Sequence, residues 1–88
     1  MSVKDEFEIL LDKLKIERDE LKLKLHLASM EAREEFAEAE KKWRQVKAKA
    51  AEIADETKDV SEDFIDKAKI VGEELKHAYR RINKRLSK

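Results

Sequence analysis

Apolar residues recur at intervals of three and four along most of the chain. Phe7, Leu10, Leu11, Leu14, Leu21, Leu25, Ala28, Ala32, Phe36, Ala39, Trp43, Val46, Ala50 and Ile53 form one stripe, interrupted only at Arg18. This is the period of an amphipathic α-helix. The stretch LKLKLHLA, residues 21–28, alternates instead with a period of two, as a half-buried strand would. At 100° per residue it resolves into two helical stripes, with Leu21 and Leu25 on the main one and Leu23 and Leu27 nearly opposite. Ile9, Ile16, Leu23, Met30 and Ala37, seven residues apart, extend this second stripe. A strand here would have no partner strand in the chain, and isolated strands are not stable.

Local signals divide the pattern into two helices. Ser2 followed by Asp5 fits an N-terminal cap with a reciprocal acid, so a helix starts near Val3. No glycine or proline interrupts it before ADETKDVSEDF, residues 54–64. The expectation is a helix over about 3–56, roughly 75 Å long at 1.5 Å per residue. A bend follows at about 57–60, where Asp59 with Glu62 makes an acidic capping box. A second helix over about 60–86 has Glu62 and Asp63 in its first turn and Lys84, Arg85 and Lys88 near its end, as its dipole favours.

An unbroken helix is the alternative, and side-chain size argues for folding back near Thr57. Ala50 then faces Phe64, Val46 faces Ala68, and Trp43 faces Val71. Further along, Ala39 faces Leu75, Phe36 faces Ala78, Ala32 faces Ile82 and Ala28 faces Leu86. Large meets small at nearly every layer, as an interdigitating core prefers, and Gly72 leaves room for the Trp43 indole. The expected fold is all-α: a single domain over residues 1–88, built as a coiled-coil-like antiparallel helical hairpin with a long first helix and a shorter second one.

In that hairpin the second helix reaches back only to about Ala28, so residues 3–27 have no partner within the chain. Phe7, Ile9, Leu10, Leu14, Ile16, Leu21, Leu23, Leu25, Leu27 and Met30 would then be the surface of a homo-oligomer, with a dimer favoured. One arrangement crosses two long helices near Leu27, giving a three-helix bundle at each end of a rod. Another coiled-coil protein is the alternative partner. Small size points the same way, because a chain of 88 residues is marginal as a single-chain core.

Charged residues make up 48% of the chain, with 21 basic and 21 acidic side chains, no proline and a single glycine, a profile of long helices. The zero net charge conceals blocks: residues 1–40 hold 12 acids and 7 bases, 41–50 hold 5 bases, 51–66 hold 7 acids and 1 base, and 67–88 hold 8 bases and 2 acids. In the hairpin register the basic tail lies beside the acidic run 31–40, which selects orientation more than it adds stability. Cysteine is absent, which excludes disulfides, thiolate metal ligands and thiol nucleophiles. The acidic start MSVKDEFEIL lacks the basic and apolar regions of a signal peptide, and no stretch approaches the length of a membrane span. The expected setting is the cytoplasm.

Few residues carry a chemical signal. Glu74 and His77 have the Glu-x-x-His spacing of carboxylate-bridged metal sites, but Leu75 and Ala78 take the core side and turn His77 outward. His26, between the two stripes, is an ordinary edge histidine. Trp43 and Tyr79 sit at core spacing, where packing is the commoner role. No nucleophile has a paired base and there is no glycine-rich phosphate loop, so no enzyme, cofactor or metal is expected. The segment KHAYRRINKRLSK is the one strong basic cluster, and Arg80, Arg81, Lys84, Arg85 and Lys88 could engage phosphates of nucleic acid or an anionic membrane. Its complementarity to the helix dipole and to the acids of helix 1 makes such a partner the disfavoured reading.

The run LKLKLHLASMEAREEFAEAEKKW, followed by VGEELKHAYRRI, resembles a set of small uncharacterised bacterial coiled-coil proteins. The shared features are a Leu-rich HLA segment, an acidic stretch ending in EKKW, and a Glu-Glu-Leu with an aromatic shortly after. The resemblance covers roughly residues 18–86. It implies a coiled-coil fold and a bacterial, stress-associated role without a catalytic site. A non-enzymatic, self-associating structural or interaction protein is thus the expected function, with phosphate-surface binding by the C-terminal helix as the runner-up.

Overall fold

The structure, a computed structural model, describes residues 2–86. It is all-α, with α1 over Val3–Lys24, α2 over Met30–Ala54 and α3 over Glu62–Leu86, and no strand among the described residues. The helix expected over 3–56 is therefore two helices, and the two-helix hairpin is replaced by three packed helices measuring 44 × 22 × 18 Å.

The break has a local chemistry that involves neither glycine nor proline. A short 3₁₀ turn, Leu25–Leu27, ends α1. Ala28 and Ser29 are extended, and Ser29 caps α2 by accepting the Ala32 N–H at 3.2 Å. Arg33 donates from Nε to the Leu25 carbonyl at 3.2 Å and from Nη2 to the His26 carbonyl at 3.1 Å, tying the first turn of α2 to the 3₁₀ turn. The tertiary return is larger. Folding back buries Phe7, Leu10, Leu14 and Leu21 in the chain's own core, at about 1.5–3 kcal/mol for each large side chain. A few interrupted helical hydrogen bonds, each worth about 1 kcal/mol net, do not match that sum.

Side-chain ion pairs and a hydrogen bond show how the helices run. Glu6 meets Lys69 at 2.8 Å and Lys24 meets Asn83 at 3.2 Å, so α1 and α3 are parallel. Lys42 meets Glu74 at 2.8 Å, and Arg85 reaches Glu35 at 2.8 Å and Glu31 at 3.1 Å, so α2 and α3 are antiparallel. Since α3 packs against both neighbours, its buried face is broad. Toward its neighbours it buries Ile65, Gly72 and Tyr79 as well as Ala68, Leu75, Ala78 and Ile82. Gly72 does not face Trp43, as its place in the sequence suggests. It lies against α1, where an added Cβ would approach Leu10 Cδ2 to 2.8 Å.

The α2–α3 connection is longer than the expected bend and differently capped. Asp55 accepts from the Thr57 N–H at 3.0 Å and its hydroxyl at 2.6 Å, contacts that hold the Asp55 carboxyl below its ordinary pKa. At the start of α3, Ser61 Oγ accepts the Phe64 N–H at 3.2 Å. Ser61, one residue before the helix, takes the capping role that the sequence reading gave to Asp59. At the other end of the chain, Ser2 and Asp5 do form the reciprocal box, at 3.2 and 3.3 Å.

Candidate interaction surface

The bundle splits the ten residues expected at an oligomer interface into two groups. Phe7, Leu10, Leu14 and Leu21 are buried in the chain's own core and cannot form that interface, because α3 already covers them. Leu25 is half-buried in the turn. Ile9, Ile16, Leu23, Leu27 and Met30 are exposed, the last three at 74%, 85% and 77%. Ile9, Ile16 and Leu23 lie on the side of α1 turned away from α2 and α3, and Leu27 and Met30 are exposed in the turn and at the start of α2. Ile70, on the outer side of α3, is also exposed. Ile9, Ile16 and Leu23 make a narrow apolar strip along α1, on a surface that is otherwise highly charged.

The positions assigned to a hairpin core lie inside or at its edge. Ala32, Phe36, Ala39, Trp43, Val46, Ala68, Leu75, Ala78 and Ile82 are buried, while Ala50, Phe64, Val71 and Leu86 are half-buried against them. Ile53, in the main stripe, and Tyr79, at core spacing, are buried as well, and the sequence reading missed Ile65. On α3 the signal was present as a second three-and-four series, 65, 68, 72, 75, 79 and 82, which shares 68, 75 and 82 with the one chosen and differs by one residue at the other three.

Arg18, the gap in the main stripe, connects α1 to α2. Its Nε and Nη2 donate to the two Glu40 carboxylate oxygens at 2.6 and 2.8 Å, and its guanidinium lies 5.5 Å from the centre of the Trp43 ring. The bidentate contact holds the Glu40 carboxyl below its ordinary pKa. Tyr79 stacks on Phe36, with ring centres 6.5 Å apart, and burial pushes its phenol pKa up. Its hydroxyl has no hydrogen-bond partner among the described residues. Tyr79→Phe should therefore leave stability unchanged or raise it by up to about 1 kcal/mol, because no bond is lost with the oxygen. A clear loss in urea unfolding would mean that the hydroxyl has a partner.

Glu74 pairs with Lys42, His77 and His26 are exposed, and among the described residues no group of three or more His, Asp or Glu side chains is placed to hold a metal ion. No helix among the described residues is long and apolar enough to cross a membrane. Of the basic cluster, Arg85 is engaged by Glu31 and Glu35, whereas Arg80, Arg81 and Lys84 are exposed; Lys88 lies outside the described residues. Comparison with family models, curated proteins and solved structures finds no match for this chain.

Proposed function

We propose that this is a non-enzymatic helical interaction protein that associates with copies of itself through the outer face of α1. The observation that carries the reading is the exposed strip of Ile9, Ile16 and Leu23 along α1, with Leu27 and Met30 exposed just beyond its end. Large apolar side chains aligned on one face of a charged helix mark an interaction site more often than single exposed ones do. Charges of both signs border the strip, which suits a self-complementary contact. The coiled-coil-like antiparallel pair α2–α3 serves as the scaffold that holds α1 outward. A bacterial, stress-related setting rests on the resemblance of residues 18–86 alone.

The test is solution molar mass by light scattering over a range of concentrations. The wild-type chain should populate a dimer. Leu23→Glu combined with Leu27→Glu should yield a monomer with unchanged helical circular dichroism, since neither side chain packs in the core. A wild-type monomer at every concentration, or a double variant that still dimerises, would end this reading.

A second reading has one observation in its favour: Arg80, Arg81 and Lys84 project from α3 with no ion pair among the described contacts. Binding to a nucleic acid or an anionic vesicle that weakens with salt and disappears in Arg80→Glu/Arg81→Glu would support it. The capture of Arg85 by α2 leaves that patch small.

A further inference from the structure

We propose that two copies of α1 pair antiparallel about a two-fold axis at Ile16, making the assembly a face-to-face dimer of intact bundles. This rests on the self-association reading above and adds the orientation and register of the partner copy. Ile9, Ile16 and Leu23 are exposed and spaced by seven residues. A seven-residue repeat drifts about 20° per heptad around a straight helix, and a shallow left-handed crossing restores its alignment. In the antiparallel register Ile16 meets Ile16, and Leu23 meets Ile9 of the second copy.

The charges choose antiparallel over parallel. Residues 4–12 carry four acids, Asp5, Glu6, Glu8 and Asp12, against Lys4; residues 13–24 carry five bases against three acids. A parallel pair would set the two acidic halves side by side. The antiparallel pair sets each against the basic half and brings Lys13 beside Glu20, and Lys15 beside Asp19, of the second copy, each contact made twice by symmetry. One repulsive approach remains, Asp12 to Asp19, with Lys15 next to it.

In-chain pairing supports the assignment. Two α1 charges that border its neighbours are taken, Glu6 by Lys69 on α3 and Arg18 by Glu40 on α2. Lys13, Lys15 and Glu20, which border the outer strip, have no ion pair among the described residues. A single helix-on-helix contact of 22 residues lies toward the small end of specific interfaces, below about 1,200 Å², so the dimer should be reversible.

Lys13→Glu and Glu20→Lys should each weaken dimerisation by about tenfold at low salt, by losing two symmetric attractions and adding like-charge approaches. The double variant, which restores both attractions with the signs exchanged, should return to near the wild-type dimer constant in sedimentation equilibrium. Both residues are exposed, and unchanged circular dichroism will show that the bundle persists. Because the chain lacks cysteine, Lys13→Cys chains mixed with Glu20→Cys chains should be joined by a short bis-maleimide faster than either chain with itself. A dimer that ignores both charge reversals, fails to recover in the double variant, or favours like-with-like crosslinks overturns this register while self-association stands. A wild-type monomer removes both readings.

Discussion

Leu14→Ala is expected to lower the free energy of unfolding by about 3 kcal/mol or more, by the usual range for a fully buried leucine. Leu14 is 0% exposed, and its Cδ1 would lie 3.6 Å from a Cβ placed on Gly72. Gly72 presents no side chain able to fill the gap that alanine leaves. A loss of this size is a large fraction of the stability of so small a domain and should lower Tm by roughly 15 °C. Its dependence on concentration is as informative as its size. All the packing partners of Leu14 lie in its own chain, so the loss should be the same at low and high protein concentration. Replacing Leu23 and Leu27 should do the reverse, changing molar mass while leaving the urea midpoint of the monomer unmoved. If the Leu14→Ala loss fades as concentration rises, α1 is docked on another chain and the fold-back at Leu25–Ser29 is wrong.

Arg18→Met should cost about 2 kcal/mol at neutral pH. The Arg18–Glu40 side chains are only 20% and 19% exposed, and their contact is bidentate, with the guanidinium also over Trp43. Most surface pairs contribute less than 1 kcal/mol, but removing one partner of a sheltered pair leaves the other without compensation. Methionine preserves much of the side-chain length against Trp43, so the loss reports mainly on the charge. The pH dependence follows from the direction of the Glu40 shift. Its folded pKa lies below the ordinary glutamate value of 4.5, so its contribution is fully present above that value and is lost as pH falls through the folded pKa. Wild type should therefore lose more stability than Arg18→Met on acidification below about pH 4.5. Parallel stability–pH curves for the two proteins would show that Glu40 gains nothing from Arg18. A double-mutant cycle with Glu40→Gln would separate the pair from its surroundings.

These two experiments address different links between sequence and fold. Leu14 tests where α1 docks, which no local signal in the chain indicates. Arg18 tests what closes the corner between α1 and α2. In the sequence Arg18 is only a gap in the main stripe, because a periodicity argument treats an arginine at such a position as a miss. With α2 beside it, the same residue becomes the main polar contact between the two helices.

Sequence alone determined the all-α class, the two stripes on the first segment, the capping box at Ser2 and Asp5, and most of the residues that α2 and α3 bury. Each depends on interactions within a few residues or on a helical period, both of which can be read along a single chain. Only the tertiary structure decided that α1 ends at Lys24, that Phe7, Leu10, Leu14 and Leu21 serve the chain's own core, and that the second stripe stays exposed. Periodicity shows which faces need cover but not which surface supplies it. Whether the helix continues through Leu25–Ser29 is a contest between a few local hydrogen bonds and the burial of four large side chains against a helix some sixty residues away in sequence.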